Sequence, residues 1–452
     1  MCWPMLIEQP PLAFFDTVPY YNRGLQIVEL LSQSFMGAGD SNGGSAIAAA
    51  QEAGARAIRS VPYSLFTYLT AAPLGFAGTA IIQSALVLLM LGGAVGRIRL
   101  LPDEAAAPLF LGCLLLTSLP WFGVFIMPDL FAAAILLYAI VLVNRFDDLN
   151  WLQRTILGLI AAWAIMCHYG HILLAVGAFG TALGLRLLQW RLRPAVLIFG
   201  LAPLALALVA NALFSMVAFQ SSSVAPKRLP ILLARSMEDG PARWHLQEHC
   251  KTHNYTLCEV LGEIPDTVSG LLFDEDSGLK HATADQLDKI RQEEPVILLR
   301  ALQEYPLQQI GSLLYNSADQ FISFGLEDFG QVAIEPQENG RMEVVYTKDR
   351  DRTVFVAFNV IQVPVMLFSL VVVAVMFWRR EFRAEDRAVS VYLVILGTLV
   401  ANSVIYGGLS EPADRYQTRL VWVIPVLTAV FWLRRQKGYG RSCCFCCAST
   451  GG

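Results

Sequence analysis

Charge is what this 452-residue chain has least of. Asp, Glu, Lys and Arg make up 15% of it against 55% hydrophobic residues, and the mean hydropathy is +0.50. A soluble domain of that composition would expose too much apolar surface to stay dispersed, so a single water-soluble globule is excluded. The net charge of −4 is too small to argue for or against nucleic acid, and no nucleic-acid partner is expected. Other absences narrow the field further. No internal repeat is visible. No Gly-rich phosphate loop followed by Lys-Ser/Thr occurs, which disfavours an ATP-driven pump. Residues 1–11 lack the basic start and long apolar core of a signal peptide.

What is present is a series of long apolar runs. A helical bilayer crossing needs ~20 mostly apolar residues. Runs near 76–95, 105–120, 128–143, 155–167, 172–188, 195–216, 354–378, 388–406 and 419–433 come closest. The arginines fall in every second gap: Arg97 and Arg99; Arg145 and Arg154; Arg186, Arg191 and Arg193; Arg379, Arg380, Arg383 and Arg387; then Arg434, Arg435, Lys437 and Arg441. Basic loops stay in the cytoplasm. The alternate loops, 119–129, 168–171, the long polar stretch and 407–419, then face outward. The expected fold is an all-α polytopic membrane protein with about nine transmembrane helices and a mixed, mainly helical extracytoplasmic insert.

Five segments follow. Residues 1–75 form an outward N-terminal loop, with a Gly/Ser-rich patch at Gly37–Ser45, a helical piece near Ala46–Ile58 and an interfacial stretch Val61–Leu74. An outward N-terminus normally follows a membrane helix, so a missing upstream helix is expected. Residues 76–218 and 353–436 are the two parts of the bundle. Residues 219–352 are the insert: Arg235–Asp276 reads as polar and turn-rich, Ala284–Leu302 and Leu307–Phe321 as amphipathic helices, and the whole as a lid over the membrane part. Residues 437–452 are a cytoplasmic tail containing Cys443, Cys444, Cys446 and Cys447.

In the insert, Cys250 and Cys258 are close enough for a small-loop disulfide in an oxidising compartment. His245, His249 and His253 share a helix face, but nothing in the sequence fixes a further ligand, so no metal and no cofactor are expected. Asn254-Tyr255-Thr256 is a glycosylation sequon.

Polar groups at the outer edge of the bundle are the functional candidates. Asp16 sits in Phe14-Phe15-Asp16-Thr17-Val18-Pro19-Tyr20-Tyr21. Desolvation there would raise its pKa toward the range of a general base; a helix cap or a solvated loop acid is the plain alternative. Asp129 is the one acid in the apolar stretch Leu119–Phe131, just after Pro128, where N-capping is the competing account. His168 and His171 occupy a tight outer turn, fit either to hydrogen-bond a sugar or phosphate or to cap helices. In Asp414-Arg415-Tyr416-Gln417-Thr418-Arg419, two arginines one turn apart offer guanidinium forks suited to phosphate; interfacial snorkelling is the alternative.

An acid in a first outer loop, a second acid in the next and an Arg-Tyr pair opening the last helices resemble the GT-C superfamily of polytopic glycosyltransferases, which use polyprenyl-phosphate sugars. The resemblance makes Asp16 the catalytic carboxylate and Asp129 the second-loop acid. Arg415-Tyr416 matches the family's Arg-Tyr pair. The stretch Arg59–Phe66 and the Cys250…Cys258 pair are similar to bacterial relatives. It implies transfer of a sugar from a polyprenyl-phosphate-linked donor to a glycan or lipid acceptor, in a bacterial inner membrane, with the insert facing the periplasm. Asp129, Arg59, His168, His171, Arg415, Tyr416 and Arg419 are then the substrate-binding set. Two other classes stay open: a lipid or polysaccharide transporter or flippase, against which the nearly charge-free spans count, and a non-catalytic membrane assembly protein.

Overall fold

Apolar runs interrupted by short polar turns can satisfy their backbone in lipid only as helices, and helix dominates the molecule. The computed structural model describes residues 1–6, 13–14, 16–36, 59–96, 106–219, 228–274, 277–329, 332–346, 353–379 and 387–433. The expected patch at Gly37–Ser45, the helix near Ala46–Ile58, the flanks Arg97, Arg99, Arg380, Arg383, Arg434, Arg435, Lys437 and Arg441, and the tail cysteines lie outside the described residues.

The bundle begins with α1 (Thr17–Met36) packed against α2 (Val61–Val95). Ser60 caps α2, accepting from the Tyr63 amide at 3.4 Å. Pro73 and Gly75, the latter at φ +66°, break α2 into two helices; an L side chain rarely adopts that φ. The stretch Val61–Leu74, expected to lie in the interface or to re-enter the membrane, is the first of these helices. Its Val61, Tyr63, Ser64, Thr67 and Ala71 are buried in the bundle.

α3 (Ala106–Leu115) and α4 (Leu119–Val124) share the run expected to form a single span at 105–120. Pro120, in the first turn of α4, has no N–H to donate to the Leu116 carbonyl, so one helix cannot run on through it. α5 (Leu130–Ile140), prolonged by a π turn at Val141–Arg145, is the centre of the bundle, with every residue from Leu130 to Ile140 buried. Its Ala132-Ala133-Ala134 run lets neighbouring helices approach closely. Around it stand α6 (Trp151–Met166), capped by an Asn150–Gln153 capping box, α7 (Tyr169–Leu188) and α8 (Pro194–Phe219).

After the insert come α16 (Thr353–Trp378), α17 (Arg387–Ser403) with a π turn at Val404–Gly408, and α18 (Asp414–Val421), which leads into a helix reaching Leu433. Among the described residues, seven helices are long and apolar enough to cross a membrane. α6 and α3 are apolar but shorter. α8 and α16 expose large side chains along their length, including Ile198, Leu213, Val360, Phe368 and Val371. Contiguous apolar exposure of this kind suits a lipid solvent. The chain is a mainly helical integral membrane protein.

The insert has its own core, built from Leu233, Leu246, Leu257, Leu271, Leu287 and Ile297. Its helices are α9 (Ile231–Glu238), α10 (Pro241–His253), α11 (Thr256–Leu261), α12 (Val268–Leu272), α13 (Gly278–His281), α14 (Ala284–Glu304) and α15 (Pro306–Ile322). The Arg235–Asp276 stretch is therefore largely helical rather than turn-rich. Its apolar residues are too few to form long helices but suffice to pack several short ones. An antiparallel hairpin follows, β1 (Ala333–Pro336) and β2 (Met342–Tyr346), with Ile334 opposite Val344. Asn22 of α1 holds it, exchanging two 2.8 Å hydrogen bonds with the Met342 backbone.

α15 lies on the π turn after α17. A side chain at Gly407 or Gly408 would strike Asn316 or Leu313, so glycine permits the docking. Gln320 completes the joint, exchanging hydrogen bonds of 2.9 and 2.8 Å with the backbone of Ala413. Leu326 and Phe329, at the end of the insert, belong to the core of the bundle.

Candidate functional site

Asp129 precedes α5 with αR backbone angles and makes no side-chain capping bond. Its carboxylate is turned to α18 instead, where Arg419 Nη1 donates to Oδ1 at 2.6 Å. Arg419 is 1% exposed, so this is an enclosed ion pair, and the capping account of Asp129 fails. Arg419 also donates from Nη2 to Asn402 Oδ1 at 3.0 Å. Asn402 in turn donates to the Tyr416 carbonyl and to Gln417 Oε1. The guanidinium lies 4.1 Å from the ring centre of Tyr406 and 5.0 Å from that of Tyr416. Those two rings stack at 4.4 Å. The π turn at the end of α17 adds a residue to the helical turn and brings Tyr406 over the arginine.

One turn earlier on α18, Arg415 lies between the rings of Phe14 (5.0 Å) and Tyr416 (4.9 Å), a cation–π arrangement. It donates from Nη2 to the Tyr416 hydroxyl at 3.1 Å. Among the described residues, no carboxylate forms an ion pair with it. Its backbone amide donates to Asp328 at the end of the insert, at 3.3 Å. Asp16, just before α1, pairs with Arg59, just before α2, and both side chains are about one-quarter exposed (25% and 22%). Arg59 lies 5.7 Å from the Tyr20 ring centre.

These groups share one end of the bundle. Phe14, Asp129, Asp328, Phe329 and Arg415 line a common crevice. Its cavity volume is about 10 Å³, room for roughly one water. At this end the Nε atoms of Arg59, Arg415 and Arg419 are buried without a hydrogen-bond partner among the described residues.

His168 caps α7, its Nδ1 accepting from the Gly170 amide at 3.1 Å, with the Tyr406 hydroxyl at 3.4 Å. Burial pushes its pKa down to about 4, and Arg419, Arg59 and Arg415 oppose protonation further, against the pull of Asp129. The ring is therefore neutral at physiological pH. His171 Nδ1 lies 2.8 Å from the Ala164 carbonyl, and its Nε2 has no partner.

The structure thus brings together Asp16, Arg59, Asp129, His168, Arg415, Tyr416 and Arg419, drawn from five separate stretches of chain. Direct contact with a substrate does not fit Arg419 or His171. Both are enclosed, at 1% and 0% exposure, and packing holds them where they position neighbours. Asn402, Tyr406 and Asp328 belong to the cluster and escaped the sequence reading. An Asn and a Tyr inside an apolar helix carry no periodic signal, and Asp328 is one acid among several.

The opposite end of the bundle holds the basic turns. Arg186 pairs with Asp147 at 2.9 Å, Arg193 with the same acid at 3.7 Å, and Arg145 and Arg387 with Asp148, each at 2.9 Å. In the insert, Cys250 and Cys258 form a disulfide. His245 and His249 meet Glu304 there; that acid lies 59 residues beyond His245, which is why the sequence did not suggest a metal-ligating set. No family model, no curated protein and no solved structure matches this chain.

Proposed function

We propose that the protein is a GT-C-like glycosyltransferase that moves a sugar from a polyprenyl-phosphate donor to an acceptor at the non-cytoplasmic face. In this reading the apolar helices make about nine crossings, the Arg186–Arg387 end lies in the cytosol, and the insert stands outside. The disulfide supports that side, since such bonds persist in oxidising compartments. The observation that carries the reading is Arg415: a guanidinium set against aromatic rings, with no acidic partner among the described residues, beside a partly open Asp16–Arg59 pair and an enclosed Asp129–Arg419 pair.

The chemistry follows from those charges. The donor phosphate is held by Arg415 and draws Arg59 away from Asp16. The freed carboxylate then accepts the proton of an acceptor hydroxyl as its oxygen attacks the anomeric carbon. The bond from that carbon to the phosphate oxygen breaks, and the lipid phosphate leaves with its electron pair and full charge. Arg415 and Arg59 stabilise the charge that develops on it. A single in-line displacement inverts the sugar carbon. Asp129 and Arg419 touch nothing that reacts: they hold α18 and Tyr406 so that Arg415 stays aimed at the crevice. The crevice is too narrow for a sugar, so the Asp328–Phe329 segment of the insert must move for the donor to enter.

The test is transfer from radiolabelled polyprenyl-phosphate sugars by the purified protein in lipid vesicles. Turnover that disappears in Asp16→Asn, with the folded fraction unchanged, supports the reading. Label that stays on the donor with every lipid-linked sugar offered, or transfer that survives Asp16→Asn, overturns it.

A further inference from the structure

Three histidines of α10, His245, His249 and His253, recur at every fourth residue and share one face of the helix. The last residue of α14, Glu304, stands against the first two. His245 Nδ1 is 2.8 Å from Glu304 Oε2, and His249 Nε2 is 3.5 Å from Oε1. One ligand atom from each of the three lies within 4.8 Å of the others. In a tetrahedral site with metal–ligand bonds of about 2.0–2.1 Å, donor atoms stand ~3.3 Å apart, close to the 2.8 and 3.5 Å at which the two imidazoles already stand from Glu304.

The surroundings match what such a site requires. His245 is buried, while His249 and Glu304 are each about one-third exposed (34% and 35%), which leaves an entry path and a side open to water. His245 Nε2 is 3.2 Å from the Tyr255 hydroxyl oxygen, which also accepts from Arg300 Nη1 at 2.9 Å. When His245 donates its Nε2–H as a hydrogen bond to that oxygen, its Nδ1 lone pair faces Glu304. A ligating histidine is ordinarily oriented in this way, by donating its other N–H to an oxygen. The disulfide from Cys250 to Cys258 ties the ligand-bearing helix to the segment that supplies Tyr255.

We propose that His245, His249 and Glu304 bind one divalent transition-metal ion, with water completing its coordination, and that the ion clamps α10 to α14. Two imidazoles and a carboxylate select zinc-like ions over Mg²⁺ or Ca²⁺. The site is separate from the bundle cluster and does not depend on the transferase reading. The metal-free alternative is a plain hydrogen bond from His245 Nδ1–H to Glu304.

The experiment uses the full-length protein in detergent, tag removed and stripped with chelator. Zn²⁺ binding is followed by calorimetry and Co²⁺ binding by its visible absorption. One ion per chain is expected, with a tetrahedral Co²⁺ spectrum and a raised unfolding temperature. His249→Ala and Glu304→Gln should each weaken binding by at least about tenfold, since changes even outside the ligand shell cost 10–100-fold. His281→Ala on α13 should leave binding unchanged. Circular dichroism of the metal-free variants reports whether they are folded, and His249→Gln replaces any that is not. Binding that is absent, or equally strong in wild type and in both ligand variants, overturns the proposal.

Discussion

Both ends of the bundle join arginine to aspartate, yet the two ends are physically unlike. At one end the Arg193–Asp147 pair lies at the surface, Arg193 being 74% and Asp147 33% exposed, although the same acid also meets the buried Arg186. At the other, Asp129 and Arg419 are enclosed, the guanidinium covered by Tyr406 and held by Asn402. Water screens the first kind of pair, which contributes ~0–1 kcal/mol. The second has lost its water, so each charge depends on its partner. The lesson is that arginine content alone does not mark a site. An arginine half-buried among aromatic rings, with no acid paired to it among the described residues, as Arg415 is, does.

The sharpest way to break that contrast is Arg419→Ala. It leaves Asp129 buried and uncompensated, and should destabilise the protein by about 3–5 kcal/mol, seen as a large fall in unfolding temperature in detergent. Combining Asp129→Asn with Arg419→Met should recover much of the loss, since replacing both charges removes the unpaired one; a double variant as unstable as Arg419→Ala would mean that the pair is not the cause. Asp16→Asn comes next, with turnover falling by ~10²–10⁴ and little change in stability, because its pair with Arg59 is partly open to solvent.

Arg415→Lys keeps the charge but loses the planar stacking and the fork. A fall in turnover of ~10²–10³ is expected, and a variant with full activity would remove Arg415 from the mechanism. A smaller effect comes from His168, whose folded pKa of about 4 lies below its ordinary value of about 6.5. The unfolded chain then binds more protons between those values. The stability contributed by the neutral ring is present above pH ~6.5 and is lost as pH falls toward ~4. His168→Asn, which keeps a capping acceptor, should flatten the pH dependence of unfolding in that window. Arg193→Ala at the opposite end should change stability by less than ~1 kcal/mol; a drop as large as that of Arg419→Ala would erase the distinction between the ends.

The helices were legible because lipid allows few alternatives. The run of apolar residues in α8 and α16 states its own structure, and the amphipathic α14 and α15 were visible from the spacing of their apolar residues. The break between α3 and α4 was less visible because Pro120 shifts a boundary rather than removing a run. Asp16, Asp129 and Arg415 could be singled out, as polar residues in apolar surroundings are costly to keep. Tyr406 and Asn402 could not, since their importance comes from the arginine they cover and hold.

Composition and the alternation of apolar and basic stretches by themselves determined that this chain is a bundle of membrane helices with a polar insert, because burial and backbone satisfaction in lipid depend on local runs of residues. Only the tertiary structure decided which charges meet. Asp129 meets Arg419 across 290 positions, and His245 meets Glu304 across 59. Such pairings depend on how helices pack and where a π turn or a glycine lets them approach, and no local pattern of residues encodes that distance.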